Sequence, residues 1–162
     1  MGYSTAMWIG FGEVLAAVAG ALTGLLFVAL SVKVDVLAAS RSLRSRAAQT
    51  LVLFMISVLV AVVLVAPQPA AAVGSELLAV AVVSSGALLI LDRRAGHSTD
   101  QSVIRYIERF SPNSITAVLV GVAGSTFLVK AGGGLYWLIP AAVASLAGGV
   151  VNAWLFLVQL PG

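Results

Sequence analysis

The 162-residue chain contains no cysteine, so disulfides, thiolate chemistry and cysteine-ligated metals are excluded. Histidine occurs once, at His97, which leaves no multi-histidine metal site and no obvious Ser/His/Asp triad within one chain. Charge is scarce as well: Asp, Glu, Lys and Arg make up 9% of the residues, against roughly 25% in an average soluble protein. A soluble fold of this length could not cover its surface with so few charges, whereas lipid solvates the outer face of a membrane protein. No Lys or Arg precedes Lys33, so the basic n-region of a signal peptide is missing and the first apolar run reads as a retained helix. No carboxylate pair, metal-ligand cluster or activated nucleophile stands at usable spacing, so neither an enzyme nor a cofactor is expected.

What is present is apolar sequence, 60% of the chain. Its distribution predicts an all-α polytopic membrane bundle, one domain over residues 1–162, with five transmembrane helices at about 6–32, 47–66, 75–91, 114–129 and 136–158. The second run stops at Pro67-Gln68-Pro69, where two prolines interrupt backbone hydrogen bonding. Gly74 and Ser75 read as the opening turn and N-cap of the third, whose start could also lie upstream at 70–73. Gly132-Gly133-Gly134 divides the last long apolar stretch into two spans, and Pro140 falls in the first turns of the final one.

Charge placement orients the bundle independently. Lys33, Arg41, Arg44 and Arg46 lie between runs one and two, and Arg93, Arg94, Arg105 and Arg109 between runs three and four. The positive-inside rule puts both connections in the cytoplasm, the N-terminus outside and the C-terminus inside. Lys130 alone opposes the trend. Trp8, Tyr136 and Trp137 then share the outer interface and Trp154 lies near the inner one, as an aromatic belt requires. The net charge of +3 is thus read as a topology signal, and no nucleic-acid partner is expected.

Within the second basic connection, Ser98-Thr99-Asp100-Gln101 has capping-box spacing, and Val103, Ile104, Ile107 and Phe110 recur at helical intervals up to Ser111-Pro112. Residues 98–111 are read as an amphipathic helix on the inner leaflet, with Ile107 and Phe110 buried in lipid and Arg105 and Arg109 at the headgroups. A plain cytoplasmic connector and a regulatory partner site are the alternatives. His97, beside it, is a candidate for pH sensing, its reference pKa lying at about 6.5.

Several side chains qualify for packing or function. Small residues let helix backbones approach in lipid, and Ala16, Gly20 and Gly24 form such a strip in the first run, flanked by Ala17 and Ala21. Gly121, Gly124 and Ser125 do so in the fourth run, and Ala144, Gly148, Gly149 and Asn152 in the fifth. These faces are expected to pack within the chain or, alternatively, between subunits, with Asn152 in an interhelical hydrogen bond. Glu13 lies on the strip of the first run, where a carboxylate needs protein or water around it. Lys130 and Glu76 are placed at the same outer level, so Glu13 either pairs with Lys130 or joins copies of itself in a cation-attracting pore mouth. For a transporter, Thr23, Ser57, Ser84, Ser85, Ser125 and Thr126 are the polar groups available near mid-membrane.

The stretch Gly24-Leu25-Leu26-Phe27-Val28-Ala29-Leu30-Ser31, followed by Arg46-Ala47-Ala48-Gln49-Thr50-Leu51, resembles a family of small uncharacterised bacterial membrane proteins, sometimes labelled modulators of a membrane AAA protease. The resemblance covers about the first 90 residues, rests mostly on apolar positions, and departs from the family pattern at Lys33 and Gln49. It implies a bacterial inner-membrane setting and an accessory role, and carries over no functional residue. Two function classes follow. One is a non-enzymatic accessory, scaffold or regulatory subunit among membrane lipids that packs with itself or another membrane protein. The other is a homo-oligomeric ion channel or small transporter, its first helix lining the pathway.

Overall fold

A computed structural model of the chain describes residues 3–32, 41–95 and 112–158, whose regular elements are all helices, with no strand among them. A 3₁₀ turn, Thr5–Trp8, leads into α1, Ile9–Val32. Then come α2, Arg41–Val65; α3, Ala70–Ala95; and α4, Pro112–Val129. A second 3₁₀ turn, Gly134–Trp137, opens α5, Leu138–Val158. Four stretches are long and apolar enough to cross a membrane: Thr5–Val32, Ala47–Val65, Ala70–Ala87 and Gly134–Trp154. The remaining apolar helix, Asn113–Val129, is shorter. The amphipathic segment 98–111, with Arg105, Ile107, Arg109 and Phe110, and the neighbouring His97 lie outside the described residues.

Two helices begin before their apolar runs do. α2 starts at Arg41 rather than near residue 47, because apolarity marks where lipid can begin, whereas Arg, Leu and Ala carry a helix on through polar positions. α3 starts at Ala70, so Gly74 and Ser75 are not its cap. The Pro69 carbonyl accepts from the amides of Ala72 (2.9 Å) and Val73 (3.3 Å), closing the first turn on three good helix formers. Ser75, already inside the helix, donates its hydroxyl back to the Ala72 carbonyl at 2.9 Å. Pro112, read as the end of the preceding segment, is the first residue of α4, where its fixed φ suits a helix and its missing N–H costs nothing.

The glycine turn after α4 forms as expected, with a lysine in the position a glycine usually takes. Lys130 has φ 55°, its amide donates to the Phe127 carbonyl at 3.3 Å, and the Ala131 amide donates to the Thr126 carbonyl at 3.2 Å. These are the paired bonds of a Schellman ending. Gly132, Gly133 and Gly134 follow with φ of 83°, 106° and 58°, a left-handed run that only glycine holds without strain.

Successive helices run antiparallel. Gly12 near the start of α1 meets Leu64 and Val65 at the end of α2, and Gly74 near the start of α3 meets Leu128 at the end of α4. The Tyr3 hydroxyl accepts from the Gly133 amide at 3.1 Å, which brings the N-terminal turn and the glycine turn to one end of the bundle. The tightest crossings are at glycines. A Cβ at Gly124 would lie 2.9 Å from the Gly74 carbonyl oxygen and 3.0 Å from the Leu78 amide nitrogen. A Cβ at Gly12 would lie 2.9 Å from Val65 Cγ2, and one at Gly149 would overlap the Phe54 ring. The core these crossings enclose runs through Leu15, Ile56, Leu64, Leu77, Val120 and Leu138.

Leucine at Gly12 or Gly124 should therefore destabilise the bundle by about 1–3 kcal/mol through overpacking, while Gly20→Leu, with nothing within 4 Å, leaves it unchanged. Unfolding curves in detergent check this. An unshifted Gly124→Leu transition would contradict the α3–α4 crossing.

Candidate functional site

α1 divides into three sectors, since each residue turns a helix by about 100°. Gly12, Leu15, Ala19 and Leu26 are buried, on the side that meets α2. Val14, Val18, Leu25, Val28 and Val32 form an exposed aliphatic sector. Glu13, Ala17, Gly20, Gly24 and Ser31 form a third, also exposed, roughly 140° round from the centre of the buried side. No atom lies within 4 Å of a Cβ built on Gly20 or Gly24. The expectation that this strip packs within the chain therefore fails at its two glycines. Ala16, at the strip's edge, is partly buried against the core. The strip and the packing face lie on the same helix, and Gly12, one residue before Glu13, makes the close contact instead. Only 17% of the α1 window is buried, against 50% for α2, which makes α1 the peripheral helix.

The small-residue faces of the other helices fare differently. Gly124 sits at the α3–α4 crossing, and Gly121 is in ordinary contact with Ala81, 3.4 Å from an added Cβ. In α5 the packing column is shifted by one residue. Ala141, Ser145 and Gly149 are buried, while Ala144, Gly148 and Asn152 are half-buried beside them. Asn152 makes no hydrogen bond among the described residues, contrary to its expected interhelical role.

The alternative in which Glu13 pairs with Lys130 is not seen among the described residues. Glu13, Glu76 and Lys130 are all exposed, and no ion pair joins them among the described residues. α1 packs chiefly on α2, whereas Lys130 follows α4, which packs mainly on α3 and α5. Glu76 instead accepts from Gln68 Nε2 at 2.8 Å, and the same nitrogen donates to the Val63 carbonyl at 3.0 Å, so the carboxylate braces the Pro67–Pro69 turn. At this same end Trp8, 7% exposed, makes edge-to-face contacts with Phe11 (5.5 Å between centroids) and Tyr136 (5.2 Å). Trp137 Nε1 donates to the Gly132 carbonyl at 2.7 Å. Of the aromatic groups predicted to share the outer level, Trp8 and Tyr136 are thus in ring contact and Trp137 is bonded to the glycine turn, while Trp154, predicted near the other interface, is exposed on α5.

Most mid-helix hydroxyls are spent on their own helices. Thr23 donates to Ala19, Ser85 to Ala81, Ser125 to Val122 and Thr126 to Val122. Such bonds satisfy the hydroxyl locally and leave it little to offer a substrate. Ser57 is the exception: its Oγ lies 2.6 Å from Ser145 Oγ, a buried bond between α2 and α5. Thr50, Ser84, Asn113 and Thr116 are buried too, and of these only Ser84 stood out in the sequence. The pattern that marks Ser145 is its place between Ala141 and Gly149 in a four-residue column, and for Asn113 and Thr116 it is their spacing of three.

The Ser57–Ser145 bond should show in a double-mutant cycle. With each serine changed to Ala, alone and together, unfolding in detergent is expected to give a coupling of about 0.6 kcal/mol, and at most about 1.7 kcal/mol. Strict additivity would contradict the bond.

No family model matches the chain, and neither a curated protein nor a solved structure matches it.

Proposed function

We propose that this is a non-enzymatic multi-pass membrane protein, an accessory or scaffold subunit that associates through the outward face of α1 with a second copy or with another membrane protein. The observation that carries the reading is the open space at Gly20 and Gly24 beside an exposed aliphatic sector on the same helix. Valine and leucine suit a lipid-facing surface, while a strip of Gly and Ala gives up that contact and lets another backbone come close. In this reading all five helices cross the membrane, with the two arginine-rich connections in the cytoplasm and the glycine turn outside. The alternation of helix directions, with the N-terminal turn beside Gly133, supports that threading. The resemblance of the first two runs to a bacterial family adds the inner membrane as the setting.

Glu13 favours a second reading. It is exposed on the same strip, so several copies meeting there would gather carboxylates at the outer mouth of an ion channel or small transporter. The core among the described residues is apolar, so in this reading the passage would lie between the assembled copies.

Energy transfer between differently labelled copies in liposomes tests the first reading. Gly20→Leu with Gly24→Leu should weaken association about tenfold, equivalent to ~1.4 kcal/mol, without shifting the unfolding transition. Unchanged self-association would overturn the face, as would a wild type that neither self-associates nor retains a membrane partner. Ion flux in the same liposomes, lowered by Glu13→Gln, would select the channel, and absence of flux in the wild type would remove it.

Because the chain has no cysteine, single introduced thiols report the threading cleanly. Ser45→Cys and Gly96→Cys should be labelled only from the cytoplasmic side and Ala131→Cys only from the opposite one. The reverse pattern overturns the orientation.

A further inference from the structure

The buried Ser57–Ser145 pair borders a cavity of about 10 Å³, walled also by Thr116 and by Leu15, Ile56, Val60, Val120 and Leu138. Counting protons defines what this cavity accepts. A serine hydroxyl donates once and accepts twice. Ser145 donates to the Ala142 carbonyl at 3.0 Å, so the proton in the 2.6 Å contact comes from Ser57. Both hydroxyl protons are then spent, and what the pair has left is lone pairs: two on Ser57 and one on Ser145. One turn before Thr116 on α4, Asn113 Oδ1 is a further buried acceptor, 4% exposed as a residue, with no donor bonded to it. The serine pair thus presents acceptors and no free donor.

We propose that the cavity holds one water molecule, which donates one proton to Ser57 Oγ and the other to Ser145 Oγ and so ties α2 to α5 beside α4. The volume matches one water-sized sphere, and a buried water needs two to four polar partners, which the two serines and the polar wall at Thr116 supply. An apolar ligand does not fit so small a space. A bare cation would trade a full hydration shell for a few neutral oxygens at high desolvation cost. The proposal is independent of the association face, because α1 contributes only Leu15 to this wall.

Water-to-protein cross-relaxation measured by NMR on the full chain in nanodiscs tests it. The wild type should show a long-lived water in contact with the amides of Ser57 and Ser145, unaltered when potassium replaces sodium in the buffer. Ser57→Val, which removes one acceptor and fills the space with methyls, should abolish the signal, while Val82→Ala on the exposed face of α3 should leave it intact. The absence of a long-lived water in the wild type overturns the proposal, with no variant needed. So does a signal that depends on sodium, which would make the occupant a cation, or one that survives in a folded Ser57→Val.

Discussion

The bundle depends on a few places where a neighbouring helix, by its backbone or by one side chain, comes so close to a glycine that no side chain fits at that glycine's position. Gly12 against Val65, Gly124 against the Gly74 carbonyl and Gly149 against the Phe54 ring fix α1 to α2, α3 to α4 and α2 to α5. Among apolar helices in lipid no hydrophobic effect distinguishes a leucine on a partner from a leucine in hydrocarbon, so van der Waals fit at such crossings selects the neighbours. The remaining contacts follow from that choice. Trp8 reaches Tyr136, Tyr3 reaches Gly133, and Ser57 reaches Ser145 because the glycines set the helix spacing.

The same logic separates structural glycines from available ones. Gly20 and Gly24 belong to a strip as regular as the one that includes Gly124, yet they face open space. A glycine in that position contributes nothing to the stability of the single chain and exposes backbone. In the reading proposed above its use comes from a partner outside the chain, and Glu13 on the same sector fits that reading, since a carboxylate on a purely lipid-facing surface is costly. The two functional readings share this face and differ in whether the copies that meet there leave a passage between them.

Polar chemistry inside the bundle is sparse and mostly local. Thr23, Ser85, Ser125 and Thr126 return their protons to their own helices, which suits a structural role and leaves no row of free donors along a transport path. The Ser57–Ser145 bond crosses between helices, and it sits where Gly149 brings α5 against α2.

The sequence by itself determined the helical class, the break at Pro67–Pro69, the glycine turn and five apolar runs, of which four are helices of membrane-crossing length, because hydropathy and backbone restriction act over a few consecutive residues. It marked Gly124 as a packing residue and Ser57 and Ser84 as interior polar groups. It could not choose between Gly12 and Gly20 in α1, or between the Ala141–Ser145–Gly149 column and the Ala144–Gly148–Asn152 column in α5. Neighbouring columns carry similar small residues, and a shift of one position rotates the face by about 100°. The near-uniform apolarity of these helices removes the contrast that reveals the buried side of a soluble helix. Nor could the sequence say that Glu13, Glu76 and Lys130, placed at one level by counting, stand on helices whose faces keep them apart. Depth along the bundle is a property of the chain, whereas azimuth is fixed only by which helix lies alongside.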